Sequence, residues 1–113
     1  MSVYDESKAA SIAVDAIEKQ VFGKKFLFAR HKYSILASAM SEMGELAQEV
    51  QIEQGNSYKE AGADGIIVEA IDVICCLFDL IHKCDPNITE EELATYTRHK
   101  CAKWVSKVQN RED

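Results

Sequence analysis

The chain has 113 residues, 47% of them hydrophobic, and a formal charge of −6. That size and apolar content fit one domain with a single core, which argues against disorder and against a multidomain layout. The negative balance argues against general nucleic-acid binding, and no stretch holds the roughly 18 consecutive apolar residues that a membrane span needs.

One Pro, five Gly and a wealth of Ala, Glu, Lys, Ile and Leu favour an all-α fold over sheets with many tight turns. No repeat or linker divides the chain, so residues 1–113 are expected to form a single domain. The start, MSVYDESKAA, lacks the basic and apolar regions of a secretory signal, and a cytoplasmic location is expected. Cys75, Cys76, Cys84 and Cys101 form no C-x-x-C pair, and buried thiols are expected in place of a zinc site or disulfides.

In chain order, residues 4–22 carry Ala9, Ile12, Ala13, Ala16, Ile17 and Val21 at helical spacing. They form an apolar stripe for a first helix that stops at Gly23. From about Phe28 to Gln54 a second pattern places Ile35, Ala39, Leu46 and Val50 on one side, with Gly55 as its stop. The segment GNSYKEAGADG, residues 55–65, reads as an exposed loop. The third helix, IIVEAIDVICCLFDLIHK, is apolar almost all round and should be buried on most sides. Thr89, with Glu92 three residues on, forms a capping box for a fourth helix reaching about Asn110. A four-helix bundle follows, and the apolarity of the third helix favours its completion by a partner chain.

The charged residues within this pattern carry the chemistry. Glu42, Glu45 and Glu49 fall within an arc of about 60° on the second helix, bordering the stripe of Ile35, Ala39 and Leu46. Alone they would read as a solvated face. Glu69 and Asp72 repeat the i, i+3 spacing inside the most apolar helix, where an uncompensated charge costs several kcal/mol. Two carboxylate pairs on facing helices offer four oxygen donors, the set that hard cations such as Mg²⁺ or Mn²⁺ prefer. A di-iron bundle would need two Glu-x-x-His motifs, and this chain has only Asp79-Leu80-Ile81-His82. A non-enzymatic bundle binding a basic partner leaves the acids of the apolar helix unexplained.

Glu42-Met43-Gly44-Glu45, followed after 23 residues by Glu69-Ala70-Ile71-Asp72, resembles the signature of the MazG-like all-α nucleoside triphosphate pyrophosphohydrolases. The stretches SEMGELAQEV and VEAIDVICCLFDL extend the likeness over the second and third helices, while Ser41 and Val68 depart from acids common in the family. The resemblance implies Mg²⁺ held by Glu42, Glu45, Glu69 and Asp72, and hydrolysis of a nucleoside triphosphate, or deoxynucleotide, to the monophosphate and pyrophosphate. Glu49 would bind a further ion or accept the water's proton. Gly44, between two ligands, would let a helix or phosphate approach closely.

The last helix carries Lys100, Lys103, Lys107 and Arg111 within an arc of about 80°, a stripe that also suits a helix C-terminus. The resemblance turns Lys100 and Lys103 toward the substrate phosphates. It places base recognition near FGKKFLFARHKYS, with Phe28, Tyr33 and Trp104 as stacking candidates, although aromatics at helical spacing are usually core. Lys24, Lys25, Arg30 and Lys32 of that segment are further phosphate candidates. A homodimer or dimer of dimers is the expected assembly.

Overall fold

The computed structural model describes residues 2–23, 30–55 and 65–111. Four helices make up its regular structure: α1 (Val3–Phe22), α2 (Lys32–Glu53), α3 (Gly65–Cys84) and α4 (Glu90–Gln109). Among the described residues there is no strand, and no helix is long and apolar enough to cross a membrane.

Local chemistry sets the helix ends. At the start of α1 the Asp5 amide donates to Ser2 Oγ at 3.1 Å and the Ser2 amide to Asp5 Oδ2 at 3.4 Å, a capping box at the chain start. Gly23, at φ 55°, ends α1 in a conformation that side chains disfavour. Helix α2 starts at Lys32, because His31 is extended and its Nδ1 accepts the Tyr33 amide at 3.2 Å. Phe28, the expected start, lies outside the described residues, as do positions 56–64 of the expected loop. Gly55 follows α2 with φ 77°, and its amide donates to the Ile52 carbonyl at 3.0 Å. Thr89 and Glu92 form the expected box on α4, with the Glu92 amide 3.1 Å from Thr89 Oγ1 and the Thr89 amide 3.2 Å from Glu92 Oε1.

Helices α2 and α3 pack closely along their length, burying Ile35, Ala39 and Val73 and half-burying Leu46. Helix α1 lies on α3 with its polar face inward. Tyr4 Oη donates to the Ile88 carbonyl at 2.6 Å, Ser7 Oγ bonds His82 Nε2 at 2.9 Å, and Ser11 Oγ donates to Asp79 Oδ1 at 2.7 Å. Arg30, only 8% exposed, closes the row: its Nε meets Asp15 at 2.6 Å while Nη1 and Nη2 grip Asp79 at 2.8 and 2.6 Å. Lys83 Nζ adds a second cation to Asp15 at 3.0 Å. The steps 4, 7, 11 and 15 follow one helix face. Arg30 is therefore engaged by aspartates and is not held ready for a phosphate.

This orientation overturns the expected role of the apolar stripe on α1. Ala9, Ile12, Ala13, Ala16, Ile17 and Val21 are all exposed, Ile12 at 61% and Ile17 at 60%. Amphipathic spacing identifies an apolar face but not what covers it. The thiols are likewise not buried: Cys75, Cys84 and Cys101 are exposed and Cys76 is intermediate. Among the described residues α3 packs closely on α2 and α1, and Ile67, Ile71 and Ile74 are exposed. On α4 only Leu93 and Ala94 are half-buried, and every described residue from Thr95 onward is exposed.

The surface area agrees with this openness. The chain exposes 8793 Å², against about 6,200 Å² for a compact monomer of its mass. Its radius of gyration is 17.2 Å, where a compact domain of this length has about 13 Å.

The Arg30 cluster makes a measurable contribution. Burial alone would raise the Asp15 carboxyl, but hydrogen bonds from Arg30 and Lys83, with their charges, hold it below its ordinary value of 3.8. An acid with a depressed pKa stabilises the fold above its unfolded value and loses that contribution as pH falls through the folded one. His82 behaves oppositely, because burial and the charge of Lys8 outweigh Asp79 and lower its pKa from 6.5. Stability should therefore decline in two acid stages, the first below pH 6.5 as His82 is forced to charge, the second below pH 3.8 as Asp15 protonates. Thermal melts from neutral to strongly acid pH check this: Asp15→Asn should lower stability at neutral pH and flatten only the second stage. Arg30→Met should cost about 3 kcal/mol, at the low end for a broken buried pair because both aspartates keep some solvent. A variant as stable as wild type would refute the clamp.

Candidate metal centre

The packing of α2 on α3 that buries Ile35, Ala39 and Val73 also turns acids toward one another. Glu42 comes from α2 and Glu69 and Asp72, one helical turn apart, from α3. All three are half-buried, and one oxygen from each lies within 4.8 Å of the others. Oxygen ligands of one ion at 2.0–2.6 Å are separated by no more than about 5 Å, so this spacing suits a shared cation.

Two further observations concern solvent and charge. Glu42 Oε2 is buried and has no hydrogen-bond partner among the described residues, and Glu69 Oε2 is likewise shielded from solvent. The Glu42 carboxyl is shifted above its ordinary value, first by loss of solvent, then by the charges of Glu45 and Asp72 and by a hydrogen bond from protonated Glu42 to Glu45. The environment thus disfavours the anion. A divalent cation would reverse that balance, and an all-carboxylate set suits Mg²⁺ or Mn²⁺ better than soft metals.

The sequence-derived site is brought together in part. Glu42, Glu69 and Asp72 converge. Glu45 is exposed, beside Glu42 but outside the three-carboxylate group. Glu49 lies about 10 Å further along α2 from Glu42 and is half-buried. Lys100 and Lys103 are exposed on α4, which packs closely on neither α2 nor α3.

The base-pocket residues are scattered. Tyr33 is exposed with its ring stacked on His31 at 5.1 Å, and Trp104 shares a shallow apolar groove with Ile81, Leu93 and Tyr96. Phe28, like Lys24 and Lys25, lies outside the described residues. A Cβ placed on Gly44 would meet no described residue within 4 Å, so close approach of another described part of the chain is not what its small size serves.

The residues of the di-iron alternative are engaged elsewhere. Asp79 binds Arg30 and Ser11, and His82 is bonded to Ser7 and packed on Tyr4 and Phe78. No described histidine joins the carboxylates. The role of Asp79 had a sequence signal: it lies two helical turns beyond Asp72, in the same apolar helix. Its partner, 49 positions away, had none.

Comparison of the chain with protein-family models, with curated proteins and with solved structures finds no match.

The cluster generates a stability prediction with opposite signs for the two states of the site. Glu42→Gln removes one of three crowded charges, so it should raise the melting temperature of metal-free protein in EDTA. Millimolar Mg²⁺ or Mn²⁺ should stabilise wild type by about 2.7 kcal/mol once the ion is 100-fold above its Kd, and should stabilise the variant much less. Equal metal shifts for wild type and Glu42→Gln would count against the site.

Proposed function

We propose that the chain is a Mg²⁺-dependent nucleoside triphosphate pyrophosphohydrolase of the MazG-like type, acting in the cytoplasm on nucleotides or deoxynucleotides in housecleaning or pool control, with Mn²⁺ an acceptable substitute. The observation that carries this reading is the convergence of Glu42, Glu69 and Asp72 from facing helices, with a buried Glu42 oxygen that accepts no hydrogen bond from a described residue. The order and spacing of these acids, Glu-x-x-Glu and then Glu-x-x-Asp, support the choice of reaction.

In this reading Glu42, Glu69 and Asp72 hold the ion, and Glu45 joins them from beside Glu42. A bound Mg²⁺ supplies positive charge to the phosphate oxygens and acidity to a water. The net reaction adds water across the α–β phosphoanhydride, breaking one P–O bond and giving a monophosphate and pyrophosphate. Glu49, half-buried on the same helix, takes the water's proton or holds a further ion. The apolar walls of α2 and α3 limit solvent around the acids, which strengthens their interaction with charge. Lys100 and Lys103 meet the phosphates once α4 is brought to the site, and Tyr33 and Trp104 offer stacking faces for the base. Assembly is a homodimer or dimer of dimers in which another chain covers Ile67, Ile71 and Ile74 of α3.

Incubation with a panel of NTPs and dNTPs tests the reaction. Pyrophosphate and monophosphate should form with Mg²⁺ and not with EDTA. Glu69→Gln and Asp72→Asn should each lower kcat/KM by at least about 100-fold, the scale of losing one preorganised charge-stabilising group. Orthophosphate as the sole product, or undiminished activity in both variants, would sink the proposal.

A further inference from the structure

Where α1 meets the end of α3 the chain leaves a cavity of about 140 Å³, with Lys8, Ser11 and Asp15 of α1 and His82 and Lys83 of α3 as its polar wall. That volume holds about five waters at about 30 Å³ each, the bulk of a small ion. It falls short of the roughly 300 Å³ at which pockets for larger organic ligands begin.

His82 lacks a partner on this wall. The residue is only 5% exposed. Ser7 Oγ donates its one proton to the Tyr4 carbonyl at 3.0 Å, so the His82 Nε2–H donates to Ser7 Oγ at 2.9 Å. Burial, and then the charge of Lys8, hold the His82 pKa below 6.5, so the ring is neutral at neutral pH and its Nδ1 is an acceptor. Nδ1 is shielded from solvent and accepts from no described residue. A buried acceptor left empty carries a cost that a donor seated beside it removes.

The charges around the cavity do not balance either. Arg30 and Lys83 are matched by Asp15 and Asp79, and both Asp15 oxygens are taken, Oδ1 by Arg30 at 2.6 Å and Oδ2 by Lys83 at 3.0 Å. Lys8 stands outside these pairs. Its Nζ reaches the Tyr4 hydroxyl at 3.4 Å and lies 5.7 Å from the centre of the Tyr4 ring, with no described acid as partner. One positive charge is thus left over on the cavity wall, in a chain whose formal charge is −6. A fitting ligand is anionic for Lys8 and carries a hydroxyl for Nδ1. Carboxylates and sulfate meet only the first requirement at neutral pH. Phosphate meets both, because its monoanion and its dianion each keep an O–H beside bare oxygens, and it has five heavy atoms.

We propose that this cavity binds free hydrogen phosphate, its bare oxygens facing the Lys8 and Lys83 ammonium groups and its hydroxyl donating to His82 Nδ1. The site is separate from the carboxylates, since His82 follows Asp72 by ten residues, about 15 Å along α3. It does not depend on the nucleotide reading.

Calorimetric titration of the full chain with sodium phosphate, in EDTA at constant ionic strength, tests it. One phosphate should bind per chain. At about pH 7.5 sulfate and glycerol phosphate are dianions without the hydroxyl, the monoester having lost its second proton near pH 6. Both should bind at least about tenfold more weakly, the scale of leaving one buried acceptor unpaired. Lys8→Met keeps the apolar stem and should weaken phosphate binding about tenfold or more, with unchanged far-ultraviolet circular dichroism. In proton NMR spectra phosphate should shift the imidazole signals of His82 and leave those of His99, on α4, in place. Absence of phosphate binding, sulfate binding as tight as phosphate, or unchanged affinity in Lys8→Met overturns the proposal. Phosphate bound with no shift at His82 overturns the hydroxyl contact.

Discussion

The guanidinium of Arg30 is where three parts of the chain meet. It sits just before α2, grips Asp79 of α3 through two nitrogens and reaches Asp15 of α1 with a third. A buried guanidinium left unpaired costs several kcal/mol, so once Arg30 is enclosed the two aspartates are required where they are. That requirement sets the roll of α1. With Asp15 fixed toward Arg30, Ser11, Ser7 and Tyr4 follow on the same face, each at hydrogen-bond distance from a group on α3 or the turn after it. The apolar side of α1 must then face outward.

The same helix α3 holds acids in two different states of compensation. Asp79 is matched by a bidentate cation and by the Ser11 hydroxyl. Two helical turns earlier, Asp72 faces Glu42 across the α2–α3 seam, and no described Lys or Arg forms an ion pair with either. Both groups are carboxylates set in apolar surroundings, yet of Asp79, Asp72 and Glu42 only Asp79 has an ion pair with a described cation. A structural role explains Asp79. Glu42 and Asp72 crowd like charge where solvent is scarce, a cost to the folded chain that a bound cation would remove.

Much of this was legible in the sequence because the physics is local. Helix ends at Gly23, Gly55 and Thr89 depend on residues within one turn, and the pairing of Glu42 with Glu69 and Asp72 needs only two helices packed on their apolar stripes. What escaped depends on distant partners. The polar row of α1 has helical spacing as regular as the apolar row, but its partners Asp79 and His82 lie 68 and 75 positions away. A pattern identifies two faces and does not rank them when a buried cation intervenes. The exposure of Cys75, Cys84 and Cys101 has the same origin: apolar neighbours in sequence were not covered in space.

The crowded carboxylates and the exposed isoleucines lie on the same helix, α3. A lone α2–α3 pair with α1 on one side leaves Ile67, Ile71 and Ile74 in solvent and α4 projecting with its basic stripe unengaged. Covering those faces removes water from the neighbourhood of Glu69 and Asp72, and a lower dielectric strengthens both their mutual repulsion and their attraction for a cation. Were a partner chain to cover these faces and a cation to bind, each would favour the other: the cation would lower the cost of burying the acids, and burial would tighten their hold on it. Arg30 keeps α1 and α3 in register whether or not either occurs, because its ion pairs lie at the opposite end of α3 from the acids.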